Sequence, residues 1–354
     1  MIKAHSAGVG DLLRSSAAWR TLKNKWPNAE LHLLFLTKSR GYATEELIRN
    51  HHLLTSSHFV TIKSANPHDP SAKNIHFKTV MAETDAIAKK IKPDLIVDFE
   101  ASGIRTSLVT RSCAKASGAR SVGVANFIGR RFFYDNAAPS VRDYVKKHKL
   151  SLPMDYTERD YVVLAALGLE RRKQQIELTV QAAGVEALSK LKAEISKRPA
   201  STVMIGLNIG CGTPDALHKR PNLELLADAL GQIYQETPFT LVLTGADFER
   251  DINQAFVATY RQKWSHTDHI IDWAGESSIS GLTGMIDAFD FFISTDSGPY
   301  HMAVALCKPT LVLFTYPEVT SYHDVPWCSR LIAPYSVNKL VLQLRKLYIE
   351  YAAD

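Results

Sequence analysis

Phe291-Phe292-Ile293-Ser294-Thr295-Asp296-Ser297-Gly298-Pro299-Tyr300-His301-Met302-Ala303-Val304-Ala305 reads as a buried strand that passes through an Asp-Ser-Gly turn into a helix. A helix beginning there presents unpaired backbone N–H groups and the positive end of its dipole, which is the geometry of an anion site. Gly298 lets backbone come close to a ligand. Pro299 suits the first helical turn because it has no N–H to leave unpaired, and His301 follows one turn in on roughly the same face. The plainer alternative is that Asp296 or Ser297 only caps the helix.

Outward from this turn, strands and helices alternate along the whole chain, which favours open parallel sheets covered on both faces. In the first half strands are expected near Ile2–Ser6, Glu30–Leu36, His58–Ile62, Leu95–Asp98 and Ser121–Val124. Helices are expected at Asp11–Lys25, Tyr42–Asn50, Lys78–Ile91 and Ile104–Ala116. The second half repeats the style, with strands at Val203–Asn208, Thr240–Thr244, Ile270–Asp272, Phe291–Ser294 and Thr310–Phe314. Its helices are expected at Leu223–Glu236, Ile252–Trp264, Ile279–Ala288 and Pro299–Leu306. The pattern predicts an α/β protein of two doubly wound, Rossmann-like domains, residues 1–173 and 201–336, joined by a bridge over 174–200 that carries one helix, Val185–Lys197. Ligands in such folds bind at the carboxyl ends of the strands, here at a cleft faced by both sheets. A last helix spans Val337–Tyr351 within residues 337–354.

The composition suits a globular enzyme: 45% hydrophobic and 22% charged residues in a chain of 354, long enough for two cores. No window reaches the roughly 20 uncharged residues of a spanning helix, and no signal-peptide pattern precedes the first strand, so a cytoplasmic location is expected. Cys113, Cys211, Cys307 and Cys328 are scattered without Cys-x-x-Cys spacing, which suggests neither a disulfide framework nor a zinc site. The net charge of +6 is clustered at Arg130-Arg131, Lys146-Lys147-His148-Lys149 and Arg171-Arg172-Lys173. Such runs are commonly solvated surface, and no helix-turn-helix, RNP or zinc-finger pattern accompanies them, so nucleic acid is not an expected partner.

Asp-Ser-Gly-Pro-x-His, the following Ala-x-Ala and the strand after Cys307-Lys308-Pro309 closely resemble the nucleotide-sugar signature of glycosyltransferase family 9, the bacterial heptosyltransferases. Thr315 stands where that pattern closes on Gly. Near the other end, Gly8-Val9-Gly10-Asp11-Leu12-Leu13 fails the Gly-x-Gly-x-x-Gly dinucleotide fingerprint at Leu13, so NAD binding is not supported. It resembles instead the Gly-Asp-x-Leu opening of family 9. The resemblance implies a GT-B fold, with the last helix packing back on the N-terminal domain. It also implies an inverting transfer of heptose from ADP-heptose to a lipopolysaccharide core acceptor, with Asp11 as general base. Asp11 equally fits the N-cap of a helix over Leu12–Lys25.

Inverting sugar transfer needs a carboxylate opposite the leaving diphosphate, and donors for the charge that grows on that diphosphate. No Asp-x-Asp pair of the metal-holding kind is present; Asp98-x-Glu100 and Asp247-x-Glu249 come closest. No metal and no cofactor are therefore expected, the diphosphate being served by Lys219, His301 and the Ser297-Gly298 turn. An alignment shifted by one would put His218 in place of Lys219. The resemblance places the nucleobase near Ala274-Gly275-Glu276-Ser277-Ser278-Ile279, with Glu276 standing where the family has Lys; Thr244 and Gly245, at the end of an expected strand, are further donor-binding candidates. Glu249 is a candidate for the ribose hydroxyls or simply an early-turn carboxylate, and Asp296 for a sugar hydroxyl. Ser102, Arg105, Arg120 and Arg130 (or Arg131) are candidates for acceptor phosphates, since guanidinium grips phosphate bidentately. The expected partners are a nucleotide sugar, a phosphorylated glycolipid and, peripherally, an anionic membrane face. The alternatives are another nucleotide sugar, a protein acceptor, a nucleotide-sugar epimerase, or a non-catalytic nucleotide-sugar-binding scaffold.

Overall fold

The computed structural model describes residues 1–3, 8–37, 43–64, 73–101, 103–169, 175–198, 201, 203–211 and 217–352. The chain divides into two compact units, Met1–Glu177 and Leu178–Asp354.

The first unit contains β1 (Ile2–Lys3), α1 (Val9–Lys25), β2 (His32–Thr37), α2 (Ala43–Ile48), β3 (Ser56–Thr61), α3 (Phe77–Ile91), β4 (Leu95–Val97), α4 (Ile104–Ser117) and β5 (Arg120–Val124). It continues with β6 (Asn136–Ala138), α5 (Val141–Lys147), β7 (Met154–Asp155) and α6 (Glu158–Ala165). Strands β3-β2-β1 and β4-β5-β6 are parallel, and the bridge Ile2↔Asp98 joins them in the order 3-2-1-4-5-6. Ile2, Leu34, Leu36, Val60, Ile96 and, from the covering helices, Val80 and Val109 form its core.

The second unit contains α7 (Ala182–Ile195), β8 (Met204–Asn208), α8 (Leu223–Glu236), β9 (Thr240–Thr244), α9 (Arg250–Trp264), β10 (Ile270–Asp272), α10 (Ile279–Ala288) and β11 (Phe291–Thr295). It ends with α11 (Gly298–Ala305), β12 (Thr310–Phe314), β13 (Ser321–Tyr322), β14 (Cys328–Ile332) and α12 (Val337–Tyr351). Its six parallel strands run β10-β9-β8-β11-β12-β14, which is again the order 3-2-1-4-5-6. Strands β9, β11 and β12 are buried at every residue, as parallel strands covered on both faces must be. The two α/β units of doubly wound topology match the expected fold class.

Three expectations are corrected. The helix of the expected bridge belongs to the second unit: Gly184 on α7 meets Gly284 on α10 so closely that a Cβ at Gly284 would lie 2.2 Å from the Gly184 carbonyl oxygen. The last helix, expected against the N-terminal domain, buries Leu340, Val341, Leu344 and Leu347 in the second unit's own core beside Leu226 and Leu230 of α8. Arg345 reinforces this with a bidentate pair to Glu236 at the end of α8. The elements β6, α5, α6 and β14 were not expected; β6 is three residues of Asn and Ala, and β14 is an edge strand with only one buried residue.

The His51-His52 pair after α2 serves a structural end. His51 Nε2 bonds the Glu177 carbonyl and His52 Nε2 the Glu177 carboxylate, each at 2.8 Å, while Arg20 grips that carboxylate with two bonds of 2.7 Å. The last residue of the first unit is thus fastened to α1 and to the turn after α2. Among the described residues no helix is long and apolar enough to cross a membrane.

Candidate active site

In both units the strand order reverses between the first and fourth strands, and the crevice at the carboxyl end of that switch is where doubly wound folds bind ligands. In the second unit the switch lies between β8 and β11, so Asn208 at the end of β8 faces the turn that follows β11. Ser297 is the N-cap residue of α11, yet its hydroxyl does not cap: it donates to Asn208 Oδ1 at 3.1 Å and lies 3.2 Å from Ser294 Oγ. Thr295 Oγ1 donates to the Gly210 carbonyl at 2.7 Å. These bonds commit the polar side chains of the turn to the neighbouring loop, and none of them spends itself on the first N–H groups of α11. The plain capping reading of Ser297 is therefore set aside.

Asp296 sits beneath that helix start, buried, with its carboxylate accepting from Lys219 Nζ at 2.8 Å and from Tyr316 Oη at 2.7 Å. Lys219 Nζ donates also to the Asp296 carbonyl at 3.0 Å, which places its ammonium at the mouth of α11. Burial pulls the Asp296 carboxyl upward, but the charges of His301 and Lys219 and its two side-chain hydrogen bonds outweigh this and hold it below the usual carboxylate value. Of the two alignments, the structure brings Lys219 to the turn; His218 is used through its carbonyl, which accepts from Thr315 Oγ1 at 2.6 Å. Thr315, in place of a Gly, so ties the loop after β12 to the short turn carrying Lys219. His301 is buried one turn into α11, with Nδ1 2.7 Å from Nε2 of His323.

The nucleoside candidates fall along the same edge with more ordinary tasks. Glu249 is buried and accepts from the Ala246 N–H at 2.8 Å, the early-turn alternative, and it packs so tightly that a Cβ at Gly210 would meet its carboxylate at 1.8 Å. Thr244 is buried at the end of β9, its hydroxyl 3.4 Å from the Leu207 carbonyl, and Gly245 follows it against Glu249. Glu276 is ion-paired with Arg250 at 3.1 Å, and Arg250 also donates to the Ala274 carbonyl, so a cation stands at this edge although the sequence has Glu where Lys is usual. Ser277 is half-buried; the hydroxyl capping α10 is that of Ser278, bonded to the Gly281 N–H at 3.1 Å.

In the first unit α1 starts at Val9 with Gly8 as N-cap, so Asp11 is not the N-cap residue but the third residue of the helix, its carboxylate reaching back to the Gly8 N–H. Its side chain is 42% exposed, pointing one oxygen to Arg14 at 2.7 Å while the other lies 3.4 Å from the Gly8 N–H. Arg14 is buried and fixed from behind by Asp160 of α6, at 3.2 Å from Nε and 3.4 Å from the second terminal nitrogen; Ser15 Oγ donates to the same carboxylate at 2.8 Å. Burial opposes the Arg14 charge, but Asp160 and Asp11 more than offset it, so its pKa rises. The residues around Asp11 from 4 to 7 lie outside those described.

The acceptor candidates are scattered. Arg105 is exposed in the first turn of α4, just past the carboxyl end of β4, whereas Arg120 opens β5 at the opposite, amino edge of the sheet. Arg130 is wholly buried and fully used: it bonds Ser107 Oγ at 2.8 Å, the carbonyls of Ala101 at 2.7 Å and Val124 at 2.9 Å, the Glu100 carbonyl, and Asp98 at 3.2 Å. All five guanidinium N–H groups are spent on the protein, so Arg130 has none for an acceptor phosphate. Asp98 likewise takes Arg130, the Tyr134 hydroxyl at 2.7 Å and the Glu100 N–H at 2.9 Å, which makes Asp98-x-Glu100 a structural knot. Ser102 lies outside the described residues.

Sequence reasoning missed Arg14, Asp160, Tyr316, His323 and Arg250. Arg14 carried a local signal, one helical turn from Asp11, and Arg250 another, directly after Glu249. The rest reach the site only through the fold.

With this geometry in place, residues 227–345 match the family model Glycosyltransferase family 9 (heptosyltransferase). A glycosyl transferase of family 9 from Veillonella parvula superposes with a TM-score of 0.71 at 14% identity, over 99% of this chain and 97% of that one. ADP-heptose lps heptosyltransferase II of E. coli gives 0.66 at 15% identity, covering 99% of each chain. The E. coli heptosyltransferase WaaC with ADP-2-deoxy-2-fluoro heptose gives 0.62 at 14%, again over 99% of each. At these identities the structures speak for the fold, two Rossmann-like domains of GT-B type, and the family match speaks for the second unit. No curated protein sequence matches the chain.

Proposed function

We propose that this chain, a glycosyltransferase with a family 9 domain in its second unit, moves a heptose from ADP-heptose to a phosphorylated lipopolysaccharide core acceptor with inversion at the anomeric carbon. The observation that carries the reading is the start of α11, where a helix N-terminus that the Ser297 hydroxyl does not cap, Lys219 and His301 converge beside Asp296. A diphosphate leaving group needs just such fixed positive charge, which costs no reorganisation as the negative charge develops.

In this mechanism the acceptor hydroxyl oxygen attacks the anomeric carbon while the bond from that carbon to the diphosphate breaks. The electron pair departs with ADP, whose new charge is met by the α11 N–H groups, Lys219 and His301. The acceptor proton passes to Asp11, whose carboxylate is held outward by Arg14 and, behind it, by the buried Asp160. Arg14 orients the Asp11 carboxylate; it is a positioning residue. The proposal gives the base to the first unit and the leaving-group site to the second. No cofactor or metal takes part, since the cationic groups of the second unit serve the diphosphate directly. Acceptor phosphates fall to Arg105 and other exposed basic residues of the first unit, at a cytoplasmic membrane face.

Asp11→Asn tests the base. Steady-state transfer should fall by about 10²–10⁴ in kcat, with ADP-heptose affinity within a factor of about two to three of the parent. Near-normal turnover in this variant removes Asp11 from the mechanism.

A further inference from the structure

The loop after β5 leaves three large apolar side chains in solvent within six residues: Ile128 is fully exposed, Phe132 69% and Phe127 42%. Ile104, in the first turn of α4, is exposed as well. Single exposed apolar residues are ordinary, but a cluster of this size marks a surface that a partner covers.

The backbone beneath these side chains is firmly held. Arg130, next to Gly129, spends all its donors on the carbonyls and side chains of the β4 end, the β5 end and α4. Arg111 of α4 donates to the Phe132 carbonyl, and Asn126 Oδ1 accepts from the Val141 N–H at the start of α5, 3.3 Å away. Three neighbouring elements thus fix a loop that leaves Ile128 wholly and Phe132 and Phe127 partly in solvent, the two rings facing the Arg131 and Arg130 guanidinium carbons at 5.8 and 5.9 Å.

Charge identifies the partner. From Ala101 to Tyr134 the sequence has six basic residues and no Asp or Glu. Arg105, Arg111 and Arg131 are exposed around the apolar side chains, and α5 adds exposed Arg142 and Lys146. An isologous dimer through this patch would set arginine against arginine. A bilayer bearing anionic headgroups offers phosphates to the rim and an acyl boundary to the centre, the arrangement by which peripheral proteins hold membranes.

We propose that the Phe127–Phe132 loop is a membrane-docking wedge for anionic phospholipid, with Ile128, Phe132 and Phe127 inserting below headgroups that Arg105, Arg131 and Arg142 engage. Co-sedimentation of the full chain with vesicles tests this, comparing phosphatidylglycerol with phosphatidylethanolamine against phosphatidylcholine alone. The parent should bind the anionic vesicles and release them as salt rises. Ile128→Asp should lower that partition at least tenfold and Ile128→Trp should raise it severalfold. Both should keep the parent's thermal midpoint, because that side chain is fully exposed. ADP binding by Ile128→Asp should be unchanged, so a failure here is distinct from a failure of the transferase reading. Equal vesicle binding by all three proteins would overturn the proposal. So would sedimentation velocity in which Ile128→Asp dissociates an oligomer while vesicle binding persists, which would assign the wedge to a second copy.

Discussion

Asp296 keeps a negative charge inside a site built for anions, and its neighbours explain how. Lys219 and Tyr316 hold its carboxylate, so the residue works as an anchor that sets the Lys219 ammonium at the α11 start, not as a free charge facing the ligand. Arg14 stands in the same relation to Asp11, with a buried carboxylate behind the cation and the exposed one in front. His269 shows the opposite case. It is buried, stacked 3.6 Å from Tyr234, and among the described residues neither ring nitrogen has a hydrogen-bond partner. Burial therefore pushes its pKa down to about 4 from 6.5. With the folded value below the unfolded one, the unfolded chain takes up the proton first as pH falls. The stability present above about pH 6.5 is lost progressively toward pH 4, by up to about 3 kcal/mol. His269→Phe should stabilise the protein, and its advantage should be about 2 kcal/mol larger at pH 5 than at pH 8. Urea denaturation at both pH values measures this; parallel acid limbs for the two proteins would show that His269 does not drive the loss.

At the scale of elements, α7 and α10 cross with the backbone of Gly184 against that of Gly284. A methyl at Gly284 would lie 2.2 Å from the Gly184 carbonyl oxygen and 2.4 Å from its carbon, atoms that cannot swing away as a side chain would. Gly284→Ala must push the helices apart, at a cost of about 1–3 kcal/mol. A lowered denaturation midpoint is the expected result, and an unchanged one would mean the helices do not cross so closely in solution. Since α10 starts directly after Glu276 and Ser277, this packing also supports the nucleoside edge.

Across the whole molecule, what the sequence disclosed was local. The strand-turn-helix at Phe291–Ala305 and the bounds of β9, β12 and α12 were legible because a fully buried strand is an unbroken apolar run, and a half-buried helix repeats its apolar residues at Leu340, Val341, Leu344 and Leu347. Edge strand β14 and the short β6 were not, since half-exposed residues lose that signal. The site was legible to the same degree. Asp296, Ser297, Gly298 and His301 lie within one motif, and Lys219 came from a basic turn whose target, 77 residues away, only the fold supplies. Arg130 was misread because a basic pair in sequence does not tell which guanidinium turns inward.

Whether the start of α11 holds a nucleoside diphosphate is the claim on which the rest depends. Calorimetric titration of the full chain with ADP-heptose in the presence of EDTA, beside a UDP-sugar and the Lys219→Met variant, addresses it most directly. The account predicts saturable metal-free binding of ADP-heptose, weak binding of the UDP-sugar, and a roughly 10- to 100-fold loss in the variant, as expected for one charged hydrogen bond worth about 1.5–3 kcal/mol. Preference for the UDP-sugar, binding only after magnesium is added, or an unaffected Lys219→Met variant would contradict it.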